Sequence, residues 1–177
     1  GNGTVIKNAI IAFDKGKLTL VGDANTSYDP ASYKLVDVTG QHIYPGFILP
    51  NSQVGIVEVS SIRAMNDDDE VGDLSPNVRS LVAYNTDSKI IPTFRYNGVL
   101  IAETTPTGGR ISGTSSVMNM EGWNWEDAAL KADVAIHMNW PRKMGRRFDF
   151  ATFSVIREAN KDYDKQVAEV DHFFREA

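Results

Sequence analysis

With 177 residues, 42% hydrophobic and 23% charged, the chain has the composition of an ordinary globular protein of one domain or two small ones. No apolar run approaches the roughly 20 residues of a membrane span, and a formal net charge of −5 lacks the basic excess of a general nucleic-acid binder. The absence of cysteine excludes disulfides and thiolate metal sites.

From the amino end, Gly1-Asn2-Gly3 carries no charged and apolar leader and reads as the remnant of a tag. Compartment stays open between periplasm, with a signal peptide removed, and cytoplasm. Val5 to Phe13 is rich in β-branched residues and meets the turn signal Asp14-Lys15-Gly16; Lys17 to Val21 alternates as a half-buried strand does. Lys34 to Val38 predicts a third short strand, so residues 1–44 are expected to form a small antiparallel β unit. At this size it needs something to pack on.

Pro45-Gly46 is a turn pair, and Phe47-Ile48-Leu49 is an apolar run of the length of a buried parallel strand. In parallel α/β folds the chemistry sits on the loops after the carboxyl ends of strands, which is where Asn51, Ser52 and Gln53 fall. The acidic run Asp67 to Glu70 reads either as a solvated loop or as part of a metal site. Ser75-Pro76 predicts the N-cap and first residue of a helix through Val78, Leu81, Val82 and Tyr84.

Gly98 to Thr104 predicts a second buried strand with Glu103 near its carboxyl end. The stretch Pro106 to Ser116 reads as a loop, either structural or touching ligand through Gly108, Gly109 and Ser112. It lacks the lysine and the spacing of a phosphate-binding P-loop. Val117 to Met120 alternates as a strand. Asn124 is a plausible N-cap for a helix through Ala128 to Ala132, beside Trp123 and Trp125, which either close a core or stack on a ring. Val134 to Met138 predicts a third buried strand with His137 near its end, as a structural histidine, a ligand or a general base. Trp140 to Arg147 reads as a basic, turn-rich linker. From Asp149, the apolar residues Phe150, Phe153, Ile156, Ala159, Tyr163, Val167, Val170 and Phe174 recur every three or four positions, predicting one amphipathic helix over 149–177.

The run Gly40-Gln41-His42-Ile43-Tyr44-Pro45-Gly46-Phe47-Ile48, closed by Gly55, resembles the junction between the β opening and the first barrel strand of the amidohydrolase superfamily, especially its imidazolonepropionase-like and dipeptidase-like members. Asn66 to Arg79 and Gly109-Arg110-Ile111-Ser112-Gly113 resemble later family segments. The likeness covers roughly residues 4 to 140. It implies an α/β fold, a small antiparallel unit followed over 45–148 by the first part of a TIM-barrel-like parallel β/α domain. It also implies a zinc-type metal-dependent hydrolase acting on C–N bonds other than peptide bonds. The departure is specific: the family's aspartate is Leu49, and its two metal-binding histidines are Asn51 and Gln53.

Amide side chains are poor ligands for zinc-type ions, so no metal or other cofactor is expected in this chain, and the positions that resemble the metal motif are degenerate. A complete barrel needs about 250 residues, so later ligands are expected beyond Ala177. Two functions compete: part of an amidohydrolase-like enzyme not active by itself, and a noncatalytic scaffold or partner of an active paralogue. The expected partner is another copy of the chain or the missing carboxyl-terminal sequence, with no nucleic acid and no membrane span.

Overall fold

A computed structural model describes residues 3–177; Gly1 and Asn2, part of the tag-like opening, lie outside the described residues. The chain forms two compact units, Gly1–Pro45 and Gly46–Ala177.

In the first unit, β1 (Ile10–Asp14) and β2 (Lys17–Gly22) pair antiparallel. Lys15 and Gly16 between them both take positive φ, the geometry of a two-residue hairpin turn whose twist matches the strands. The expected third strand at 34–38 does not form. It has no paired neighbour, and the Asp37 carboxylate bonds the N–H and hydroxyl of Thr39, a local turn that competes with a ladder.

The second unit is built on the four-stranded sheet β3-β4-β5-β6. β3 (Phe47–Ser52) runs parallel to β4 (Val99–Thr104), and the crossover between them holds the short helices α1 (Ser80–Ala83) and α2 (Ile91–Tyr96). β5 (Ile111–Asn119) is antiparallel to β4 and to β6 (Ala129–Met138), with the single turn α3 (Trp125–Ala128) between β5 and β6. A two-stranded hairpin follows, β7 (Met144–Asp149) and β8 (Ser154–Ala159), and then α4 (Tyr163–Glu176). The fold is mixed α/β, and no barrel is closed among the described residues.

Several sequence expectations are corrected here. The helix does not start at Ser75-Pro76; residues 74–79 are held along β5 by bridges from Leu74 to Ile111 and from Arg79 to Thr114, and α1 begins only at Ser80. Most of the glycine-rich stretch is strand, since β5 starts at Ile111. Asn124 does cap a helix by accepting the Asp127 N–H, but the helix lasts one turn. Ala129 to Ala132, good helix formers, enter β6 instead because tertiary pairing overrides weak propensity. β6 is neither buried nor parallel: it runs antiparallel to β5 with most positions exposed. The helix expected from Asp149 is a hairpin as far as Ala159. Asp149 makes cap-like bonds to the Ala151 N–H and the Thr152 hydroxyl, yet they close the β7–β8 turn, and helical structure starts at Tyr163.

The core lies between the sheet and its short helices, where Val54, Leu81, Tyr84, Ile91, Ala102, Met118, Met120 and Ala128 pack together. β5 is its centre, buried along nearly its whole length. Burial pushes the Tyr84 phenol up to about 12. Its hydroxyl reaches the Asn119 carbonyl at 3.4 Å. Buried hydroxyls on and beside the sheet are hydrogen-bonded between segments, Ser80 to the Thr104 carbonyl at 2.7 Å and Thr104 to the Val54 carbonyl at 3.2 Å, as buried polar groups require.

Candidate functional site

The chemistry-bearing residues meet at the carboxyl ends of β3 and β4. Between Leu49 and Ser52 the register of β3 slips against Ala102 to Thr104, so β3 carries one residue more than its partner. Pro50 offers no N–H to the ladder, and Asn51 takes φ of 49°, a conformation that asparagine tolerates better than most residues. This bulge turns the Asn51 N–H toward Glu103, whose Oε2 accepts it at 3.4 Å. Bulges of this kind re-aim groups beside functional sites.

Glu103 is mostly enclosed, with 22% of its side chain exposed. Its Oε1 accepts the hydroxyl of the fully buried Ser115 at 2.8 Å, and its own carbonyl accepts the Ser52 hydroxyl at 3.3 Å. His137, on β6, brings Nε2 to 3.6 Å from the same Oε1. That nitrogen is buried and has no hydrogen-bond partner. Four strands thus converge on one carboxylate, with an imidazole beside it and backbone and hydroxyl donors around it.

Gly108, Gly109 and Ser112 gather elsewhere. The Asn139 amide donates to the carbonyls of Gly108 and Gly109 at 3.2 and 3.0 Å and to the Ser112 hydroxyl at 3.3 Å. Ser112 in turn donates to the Gly108 carbonyl at 2.6 Å. These bonds pin the loop against the start of the segment after β6, and none of them joins it to Glu103 or His137. The side chains of Asn51 and Gln53 are exposed. Of the two tryptophans, Trp125 packs against the core and Trp123 is 90% exposed.

The acidic run is tied down by neighbours. Asp68 accepts the Thr107 hydroxyl at 2.7 Å and its carbonyl the Thr107 N–H at 2.6 Å. Shallow hollows of about 410 and 420 Å³ lie on the β7–β8 hairpin, lined by Arg142, Met144 and Arg146, and no member of the Glu103 cluster borders them.

Among the described residues no three His, Cys, Asp or Glu side chains come together as a ligand set, and Asn51 at the end of β3 and Gln53 just after it offer neutral amides, which zinc-type ions bind poorly. Sequence reasoning named Asn51, Gln53, Glu103 and His137 but missed the part played by Ser115. It fell in a stretch read as loop, and the run of small residues from Ser112 to Ser116 carries no alternation that marks a strand.

No protein-family model matches the chain, and no curated protein matches it. Among solved structures, it is similar to an amidohydrolase from Thermotoga maritima MSB8, with 25% identity and a TM-score of 0.65 over 72% of this chain and 33% of that one. The chain therefore spans about a third of the length of that neighbour. The likeness supports an amidohydrolase-like fold.

Proposed function

We propose that these residues are the amino-terminal part of an amidohydrolase-like protein in which Asn51 and Gln53 stand where the superfamily it resembles places a metal-binding histidine pair. Support comes from one observation above all: the likeness to the Thermotoga amidohydrolase covers most of the chain. The parallel β3–β4 pair, whose first strand ends in Asn51-Ser52 and is followed by Gln53, agrees with it. On this reading the β3–β4 pair and its crossover open a TIM-type β/α barrel. Hydrolysis of C–N bonds other than peptide bonds then belongs to the whole protein, and metal-assisted chemistry is not carried by these 177 residues.

The donor set favours a second reading, a noncatalytic scaffold or partner of an active paralogue, because two exposed amides replace the imidazoles. Elemental analysis of the chain purified without chelator is expected to find zinc far below stoichiometric. Near-stoichiometric zinc that disappears in Asn51→Ala or Gln53→Ala overturns the assignment of a degenerate metal motif. Assay of the native gene product on cyclic amides and N-acyl amino acids separates the two readings: turnover supports the enzyme, and its absence supports the scaffold.

A further inference from the structure

We infer that Glu103 and His137 form a metal-independent carboxylate–imidazole dyad, with His137 as general base for the attack of water on a small activated acyl compound at the carboxyl ends of β3 and β4. The inference stands on the geometry of this cluster and does not rest on the amidohydrolase reading.

The three side chains lie in a diagonal across the sheet. Glu103 faces Val117, Ser115 faces Ala135, and His137 faces Gly113. Each step from Glu103 to Ser115 to His137 therefore moves one strand across and two residues along. Two residues restore the same face, and diagonal neighbours of this kind lie within reach of long side chains.

The arrangement fixes the carboxylate first. Ser115, with no exposed surface, holds Oε1, and the Asn51 N–H approaches Oε2. Glu103 therefore presents Oε1 toward β6 with little freedom to turn away. His137 Nε2 is enclosed and unpaired at 3.6 Å from that oxygen, and an enclosed N–H without an acceptor is costly. Closing by about half an ångström makes a charge-assisted hydrogen bond, and catalytic bonds of this type commonly tighten only when substrate arrives. Once Nε2–H is donated to Glu103, Nδ1 carries the lone pair. Among the described residues Nδ1 is not one of the enclosed unpaired atoms, and a quarter of the side chain is exposed.

The chemistry balances without a metal. As a water oxygen bonds to the acyl carbon, its proton passes to Nδ1. The bond from the acyl carbon to the leaving group breaks, the leaving group departs with the electron pair, and the Nδ1 proton passes to it or to solvent, which restores the neutral imidazole. Glu103 stabilises the imidazolium that forms, the part a buried carboxylate plays beside a catalytic histidine; it is a positioning residue and does not itself take the proton.

The probe is p-nitrophenyl acetate, and the chain's three histidines, His42, His137 and His172, supply the controls. His137→Gln is expected to lower the rate attributable to the chain by about tenfold or more, while His42→Gln and His172→Gln leave it within about twofold. An unchanged rate in His137→Gln, or equal losses in all three variants, overturns the inference. A readout independent of any variant's folding comes from two-bond ¹H–¹⁵N spectra of the native chain. The dyad requires the Nε2–H tautomer of His137, shifted toward Nδ1–H in Glu103→Leu. The Nδ1–H tautomer in the native chain overturns the inference whatever the rates.

Discussion

Gly55 has φ of +85°, and a Cβ built there runs into the ring of the buried Tyr84. Gly98 has a matching φ of +84°, but its Cβ would meet Phe47 only at an ordinary 3.6 Å. The pair separates backbone strain from steric conflict within one unit. Gly98→Ala is expected to cost about 1 kcal/mol, the left-handed penalty alone, whereas Gly55→Ala adds overpacking against a large ring and reaches about 2–4 kcal/mol. Urea midpoints of the two variants check this; equal shifts would mean that the Tyr84 ring moves aside freely. Residue-scale features were legible in the sequence where a residue type carries its own geometry. Glu103 near a strand end fell where the pattern placed it, whereas Asn51, expected on the loop after the strand, lies within β3 because the bulge at Pro50-Asn51 carries the strand on to Ser52. Ser115 was not legible, because a hydroxyl among glycines and threonines looks the same in a loop as on a buried strand, and only the pairing of β5 with β4 and β6 shows which it is.

Elements that depend on local periodicity were legible only where tertiary contacts agree with it. The parallel β3–β4 pair and the last part of the terminal helix follow their patterns. The stretch from Phe150 to Ala159 matches a helical stripe equally well, yet it folds as turn and strand, with Phe148 edge-on to Phe150 and Phe153 at 5.0 and 6.2 Å. β6 offers a measurable case. Asp133 takes φ of 49° where the register against β5 is interrupted, and its carboxylate receives the Arg79 guanidinium in two bonds of 2.9 and 2.7 Å. The Arg79 hydrogen bond holds the Asp133 carboxyl below its usual range. A depressed folded-state value gives stability that is present above the unfolded value near pH 4 and is lost as pH falls through the folded one. Asp133→Asn is therefore expected to destabilise the chain at about pH 6 and to flatten the fall of its urea midpoint below about pH 4. Asp29 and Asp37, also lowered by local hydrogen bonds, keep part of that fall in place. An undiminished slope in the variant would show that the pair does not form in solution. Both partners are nearly half exposed, so the effect belongs with modest surface pairs.

At the scale of the whole molecule, the order β3-β4-β5-β6 leaves β3 and β6 as edge strands. Parallel strands are normally covered on both faces, but Phe47 and Ile48 on β3 are 67% and 66% exposed, and Leu100, Leu130 and Ile136 on the same sheet are exposed as well. An uncovered edge with apolar side chains beside it is a template for further pairing. The sequence pointed to Phe47, Ile48, Leu100 and Ile136 as buried, which is correct only if something covers them; the pattern records burial without saying by what. The 177-residue chain is accordingly expected to self-associate, most simply as a two-fold dimer. In sedimentation velocity at micromolar concentration the weight-average coefficient should rise with loading, and Ile48→Lys together with Ile136→Lys should return it toward a monomer without loss of secondary structure. The core is formed by other residues, among them Met118, Met120 and Leu81, so the double variant leaves the fold its interior. A sharp monomer at every concentration, with unfolding independent of loading, would mean that the sheet is self-sufficient and that its exposed apolar positions are tolerated as they stand.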